Sequence, residues 1–200
     1  MGTTATATFI GLDLETTGLH THAEPLELAM IAYTDQLEEL DTFHSLILPA
    51  PFADLYTAAS PEARSMHTRT DLWAELADRE TDRDTADLDP VAVERAASAW
   101  VRRHSGETAP FILGTNPTYD RGVLADRMPD LLARFHYQMV DANSIKLLAR
   151  HAYHSMPPAG THTAVHRAVE DVRDSVRLIH DALAGIIATR ATRTSPGVRA

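Results

Sequence analysis

The order of patterns along the chain predicts an α/β domain with a mixed five-stranded sheet flanked by helices. Three apolar runs joined by short polar links come first, at 6–14, 26–34 and 41–48. Two shorter apolar runs, 111–115 and 139–140, come later, separated by helical patterns. A long amphipathic stretch follows them. Antiparallel strands first, and then strands alternating with helices, call for a mixed sheet.

Each element has its own warrant. Thr6–Leu14 is the first strand, with Asp13 and Glu15 at its end. Leu26–Thr34 is nearly all apolar, and Asp41–Leu48 completes a meander whose link holds Asp35, Gln36, Glu38 and Glu39. Pro49 and Pro51 end it, because proline removes a ladder donor. Residues 55–77 read as short helices, one opened by Pro61 and one capped by Thr70-Asp71. The segment 78–89 holds six acids against two arginines and reads as a solvated loop. Asp89-Pro90 opens a helix to about Arg103, and Pro117 breaks the 111–115 strand ahead of a helix to about Arg127. Ser144 is expected to cap a helix to about His151. From Thr163 to Ala188, Val165, Ala168, Val169, Val172, Val176, Ile179, Leu183 and Ile186 recur at spacings of three and four, an apolar stripe. Residues 1–188 are expected to form one domain and 189–200 a loose tail.

The totals exclude several classes. Two hundred residues suit one domain with a substantial core. There is no cysteine, so thiolate metal sites and disulfides are ruled out. The start of the chain lacks the charged and apolar regions of a secretory signal, and no apolar run is long enough to span a membrane. A cytoplasmic location is therefore expected. The net charge is −10, and the only lysine is Lys146. Proteins that track long nucleic acids neutralise many phosphates with Lys and Arg. If this chain handles nucleic acid, bound metal must supply much of the positive charge.

The chemistry is concentrated in Phe9-Ile-Gly-Leu-Asp-Leu-Glu-Thr-Thr-Gly-Leu19. Asp13 and Glu15 are two apart, so a strand points both to one face, while Ile10, Leu12 and Leu14 take the other. Two carboxylates crowded on a buried strand repel unless a cation sits between them. Asp-x-Glu alone is common at solvated strand ends, so a metal site there needs partners further down the chain. Gly114-Thr-Asn-Pro-Thr-Tyr-Asp120 puts a carboxylate at a strand mouth and helix start. His166-Arg-Ala-Val-Glu-Asp171 puts a histidine near the start of the long helix and a carboxylate at the border of its apolar stripe.

Together, Asp13, Glu15, Asp120, His166 and Asp171 resemble, in order and spacing, the motifs of the DEDDh 3′→5′ exonucleases, over roughly residues 6–185. Within that family, 128–137, Val140-Asp141, 144–150 and 166–175 resemble the oligoribonuclease branch. The first motif, with Thr16, is more similar to the proofreading enzymes. The resemblance implies a ribonuclease H-like fold and phosphodiester hydrolysis supported by two Mg²⁺ or Mn²⁺ ions about 4 Å apart. It implies Asp13, Glu15, Asp120 and Asp171 as metal ligands and His166 as general base. It implies Leu19 as an apolar wedge against the terminal base and His67 as a substrate contact. It also implies short single-stranded RNA or DNA as substrate and a homodimer, in which a cap from both subunits grips a dinucleotide's 5′ phosphate. Tyr137 matches that cap. Gln138 stands where the family has arginine, and Asn116 and Asn143 stand at the two serine positions. Losing the arginine removes a bidentate phosphate contact, so a strict dinucleotide preference is not expected.

Two other readings stay open at this stage. One is a proofreading or repair-type DNA exonuclease. The other is a non-catalytic binding module on a nuclease scaffold, against which the complete set of carboxylates and histidine argues.

Overall fold

The computed structural model describes residues 6–20, 22–81, 85–154 and 166–194. Three strands open the fold: β1 (Phe9–Thr16), β2 (Pro25–Tyr33) and β3 (Glu39–Leu46). The helices α1 (Phe52–Ala58), α2 (Pro61–Arg69) and α3 (Leu72–Thr81) follow, then a 3₁₀ turn (Ala86–Leu88) and α4 (Pro90–Ser105). β4 (Phe111–Gly114), α5 (Pro117–Arg127), α6 (Pro129–Leu132), β5 (Met139–Asp141), α7 (Ala142–Ala152) and α8 (Ala168–Thr194) complete it. The sheet order is β3-β2-β1-β4-β5. β1, β2 and β3 pair antiparallel, and β4 and β5 join parallel to β1 and to each other.

Alternation along β1 decides which side carries chemistry. Ile10, Leu12 and Leu14 face one core with Leu28 and Met30 of β2, Trp100 and Val101 of α4 and Leu124 of α5. The other face carries Ala29, Ile31 and Tyr33 against Ala168, Val172, Val176 and Ile179 of α8. Gly11 lies on that second face and permits the close approach of α8: a Cβ built there would sit 2.5 Å from Val172 Cγ1. A third cluster packs Leu55, Leu72, Trp73 and Leu76 of α1–α3 on Leu26 and Leu46.

Several expectations shift. The strand ends move by up to three residues, which is where hydrogen bonding and hydrophobic pattern part company. Asp141, not Ser144, caps α7, its carboxylate accepting from the N–H groups of Asn143 and Ser144. The acidic segment at 78–89 is not all loop: α3 continues to Thr81, Asp87 pairs with Arg79, and Leu88 is buried. The expected stripe of α8 holds through Ile179 and then turns, with Ala182 buried and Leu183 exposed. Val165 and the helix start expected at 163 lie outside the described residues, and α8 runs beyond 188 to Thr194. No helix among the described residues is long and apolar enough to cross a membrane.

Candidate active site

The site forms where β1, the start of α5 and the start of α8 converge. Asp13 and Glu15 stand on the α8 side of β1, in register with Ala29 and Glu27 of β2. Pro117 at the first position of α5 pre-sets helical geometry. It follows Asn116, which holds a left-handed conformation (φ 54°). The turn drops Asp120 against β1, where its Oδ1 accepts the Leu14 N–H at 3.0 Å. Asp120 is buried there, bonded to the residue that lies between Asp13 and Glu15 along the chain. His166 precedes α8 at φ 56°, and Asp171 lies in the first turn of that helix. Glu15, His166 and Asp171 each present a ligand atom, all within 4.8 Å of one another.

The charges are crowded. Burial pushes the Glu15 carboxyl up to about 8, with Asp171, Glu27 and Asp120 adding repulsion. Burial also raises Asp120 to about 7, although the N–H groups of Leu14 and of Asp120 itself oppose the rise. Asp13 is raised well above the usual carboxylate range by burial and then by Asp120, Glu15 and Asp171. Arg167 offsets part of the charge at Glu15, but its guanidinium is engaged by Glu27 and Glu75. A set of oxygen donors that repel one another in a poorly solvated pit fits a hard divalent cation. The donor set therefore satisfies what the motif implies.

A cleft of about 670 Å³ opens over the cluster, with Asp13, Glu15, Asp120 and His166 on its floor and Leu19, Met66 and Tyr119 among its walls. A neighbouring recess of about 370 Å³ shares Asp13, Thr115 and His166 and adds Asp171, Asn143 and Lys146. A family model described as Exonuclease (RNase_T) matches residues 10–179. The chain belongs to the exonuclease family. Oligoribonuclease of Streptomyces griseus is 35% identical over 174 residues, covering 84% of this chain and 80% of the relative. Oligoribonuclease of Xanthomonas euvesicatoria pv. vesicatoria (strain 85-10) is 32% identical over 168 residues, covering 84% and 82%. Among solved structures, E. coli exonuclease I in complex with a 5cy-dA13 oligonucleotide shares the fold with a TM-score of 0.56 at 16% identity. That match covers 94% of this chain and 41% of the other, so this chain spans about two-fifths of the length of that enzyme.

In this exonuclease the other residues singled out from sequence divide sharply. Leu19 is 87% exposed at the cleft rim, a position from which an apolar side chain can meet a base. Its loop is pinned from beneath: the Tyr119 hydroxyl donates to Gly18 O at 2.6 Å and lies 2.9 Å from Thr16 Oγ1. Asn116 and Asn143 come together, Asn143 Nδ2 donating to Asn116 Oδ1 at 3.2 Å, with Asp141 accepting from both backbone N–H groups. Tyr137 and Gln138 lie elsewhere. Tyr137 is largely exposed, its ring 4.5 Å from that of His136, and neither residue lines the cleft.

His67 does not reach the cleft. It is completely buried under the β1 loop, edge-on to Trp73, so it offers no surface to a substrate. Its Nε2 lies 2.8 Å from Thr16 O. A carbonyl only accepts, so Nε2 carries the proton and Nδ1 presents a lone pair, 3.8 Å from Glu15 Oε2. The physical role of His67 is to support the turn that follows Glu15.

Sequence reasoning missed Glu27 and Arg167. Glu27 is a carboxylate inside a nine-residue strand that is buried throughout. That was the available signal, since a charge in such a place needs a cation.

Proposed function

We propose that this exonuclease hydrolyses short single-stranded oligonucleotides from the 3′ end, releasing 5′-mononucleotides in an oligoribonuclease-like reaction supported by Mg²⁺ or Mn²⁺. The convergence of Asp13, Glu15, Asp120 and His166 in one cleft, with Asp171 in the adjoining recess and within reach of Glu15 and His166, carries the reading. When bound, divalent cations supply Lewis-acid stabilisation of the phosphoryl oxygens and a more acidic water. Asp13, Glu15, Asp120 and Asp171 would hold those cations. His166, at the edge of the cluster with its ring open to the cleft, takes the proton of the attacking water. Leu19 and Tyr119 line the cleft, and the exposed Leu19 is the apolar wedge against the terminal base. A net charge of −10 disfavours a long polyanion, which supports short substrates.

The proposal extends to a homodimer acting in the cytoplasm. Residues 135–140 resemble the oligoribonuclease interface region, and Tyr137 is exposed away from its own subunit's cleft. Light scattering checks the mass.

A time course on end-labelled 2-, 5- and 20-mers of RNA and DNA with Mn²⁺ tests the whole reading. Mononucleotide release from the 3′ end, abolished by excess EDTA, is the expected result. Faster loss of the DNA 20-mer than of short RNA would turn the assignment to a repair-type DNA exonuclease. Activity that survives EDTA would refute the metal-dependent reaction.

A further inference from the structure

His166 holds φ 56°, a backbone conformation that a non-glycine residue keeps only where its surroundings enforce it. The enforcement lies in the next two residues. Arg167 Nε lies 3.2 and 3.3 Å from the two oxygens of Glu27, and Nη2 donates to Glu27 Oε1 at 3.0 Å. On its other side the guanidinium donates to both oxygens of Glu75, at 2.8 and 2.9 Å, and to Thr70 O at 3.3 Å. Glu27 Oε2 also accepts the Ala168 N–H, and Oε1 lies 2.7 Å from His44 Nε2. Glu27 is fully buried, so the carboxylate grips residue 167 by its side chain and residue 168 by its backbone from a fixed place on the sheet. That place is directly opposite Glu15.

We propose that Glu27 and Arg167 are positioning residues for His166, clamping the segment before α8 so that the imidazole faces the carboxylate cluster. The inference rests on the assignment of His166 as general base. Stability alone does not explain the clamp. A buried ion pair is a weak source of stability compared with packed apolar side chains, which could dock α8 equally well. A planar fork shared between two carboxylates supplies what apolar packing does not, a fixed orientation of the backbone that carries it. Neither residue lines the cleft, so beyond the charge that Arg167 sets near Glu15 the clamp acts through the segment that carries His166.

The test is a double-mutant cycle on the full-length protein. Arg167→Lys keeps a positive charge but cannot fork across Glu27 and Glu75. A displacement of the base of about 1 Å costs on the order of 10²-fold. Arg167→Lys should therefore lower kcat roughly 10- to 100-fold. KM for a pentanucleotide and the affinity for Mn²⁺ by calorimetry should stay within about threefold, since the groups that bind them are untouched. In a His166→Ala background, Arg167→Lys should cost nothing further. An equal loss in both backgrounds, or no loss in the native one, overturns the inference. A His166→Ala enzyme with native kcat would instead refute the base assignment itself. Should Arg167→Lys fail to fold by circular dichroism, Glu75→Gln opens the half-exposed outer side of the clamp. The same cycle then applies, and a Glu75→Gln loss that ignores His166 overturns the inference.

Discussion

Replacing Gly11 with alanine should damage catalysis more than folding. The new methyl would lie 2.5 Å from Val172 Cγ1 and 3.0 Å from Tyr33 Cε2. Ordinary carbon–carbon contacts are about 3.5–4.0 Å, so the overlap with Val172 is on the order of 1 Å. Val172 cannot swing aside, because a β-branched side chain in a helix has one favoured rotamer and this one is completely buried. The start of α8 must therefore lift from the sheet, and Asp171 is the residue before Val172. Overpacking of this size costs about 1–3 kcal/mol of stability. A carboxylate displaced by about 1 Å from a reacting centre costs on the order of 10²-fold in rate. Calorimetric Tm in EDTA and initial rates on a labelled pentanucleotide at saturating Mn²⁺ measure the two effects. Val172→Ala in the same chain removes the obstructing methyl and should restore most of the rate while leaving Tm low. Gly11→Ala with native rate, or a loss that Val172→Ala does not relieve, would refute the idea that Gly11 sets the distance between β1 and Asp171.

The other expectations concern charge and the cap. Glu15 titrates at about 8 in the folded protein against 4.5 for an unperturbed glutamate, so above pH 4.5 the native state keeps a proton that the unfolded chain has lost. Metal-free stability should thus fall as pH rises from about 4.5 to 8, each unit being worth up to about 1.4 kcal/mol. Thermal melts in EDTA across that range check it, and a stability that climbs with pH would contradict the crowding of carboxylates around Glu15. Asp13→Asn should abolish turnover yet leave metal-free Tm unchanged or raised, because it removes one of several mutually repelling carboxylates; a large drop in Tm would reveal a structural partner for Asp13. Oligonucleotides of about 2–10 residues should be cleaved without a sharp optimum at two, because a neutral amide holds a terminal phosphate less firmly than an arginine fork. Gln138→Arg should shift preference toward 5′-phosphorylated dinucleotides, and competition between labelled 2-mers and 5-mers would show it.

Much of this molecule was legible in one dimension because its signals are local. Period-two alternation in 9–16 assigned Asp13 and Glu15 to one face and Ile10, Leu12 and Leu14 to the other, which the two cores on either side of β1 bear out. Proline and the apolar period located most helices. Asp141 was missed as the cap of α7 because it also ends β5. A residue at the seam of two elements satisfies both patterns, and only the hydrogen bonds reveal its second role. His67 was misjudged because burial cannot be read from a motif. The same histidine could face a cleft or lie beneath its loop, depending on how α2 packs on Trp73.

The sequence by itself determined the identities and the order of the five chemical groups, together with the sheet side that receives two of them. Strand and helix periodicities are enough to orient neighbours along the chain. The tertiary structure alone decided what spans distance: Asp120 bonded to Leu14, Asn116 meeting Asn143, and Arg167 forked between Glu27 and Glu75. These pairs are 106, 27, 140 and 92 residues apart along the chain. No periodicity encodes such contacts. They arise when three apolar clusters bury against one sheet and bring polar groups from distant elements within reach of one another.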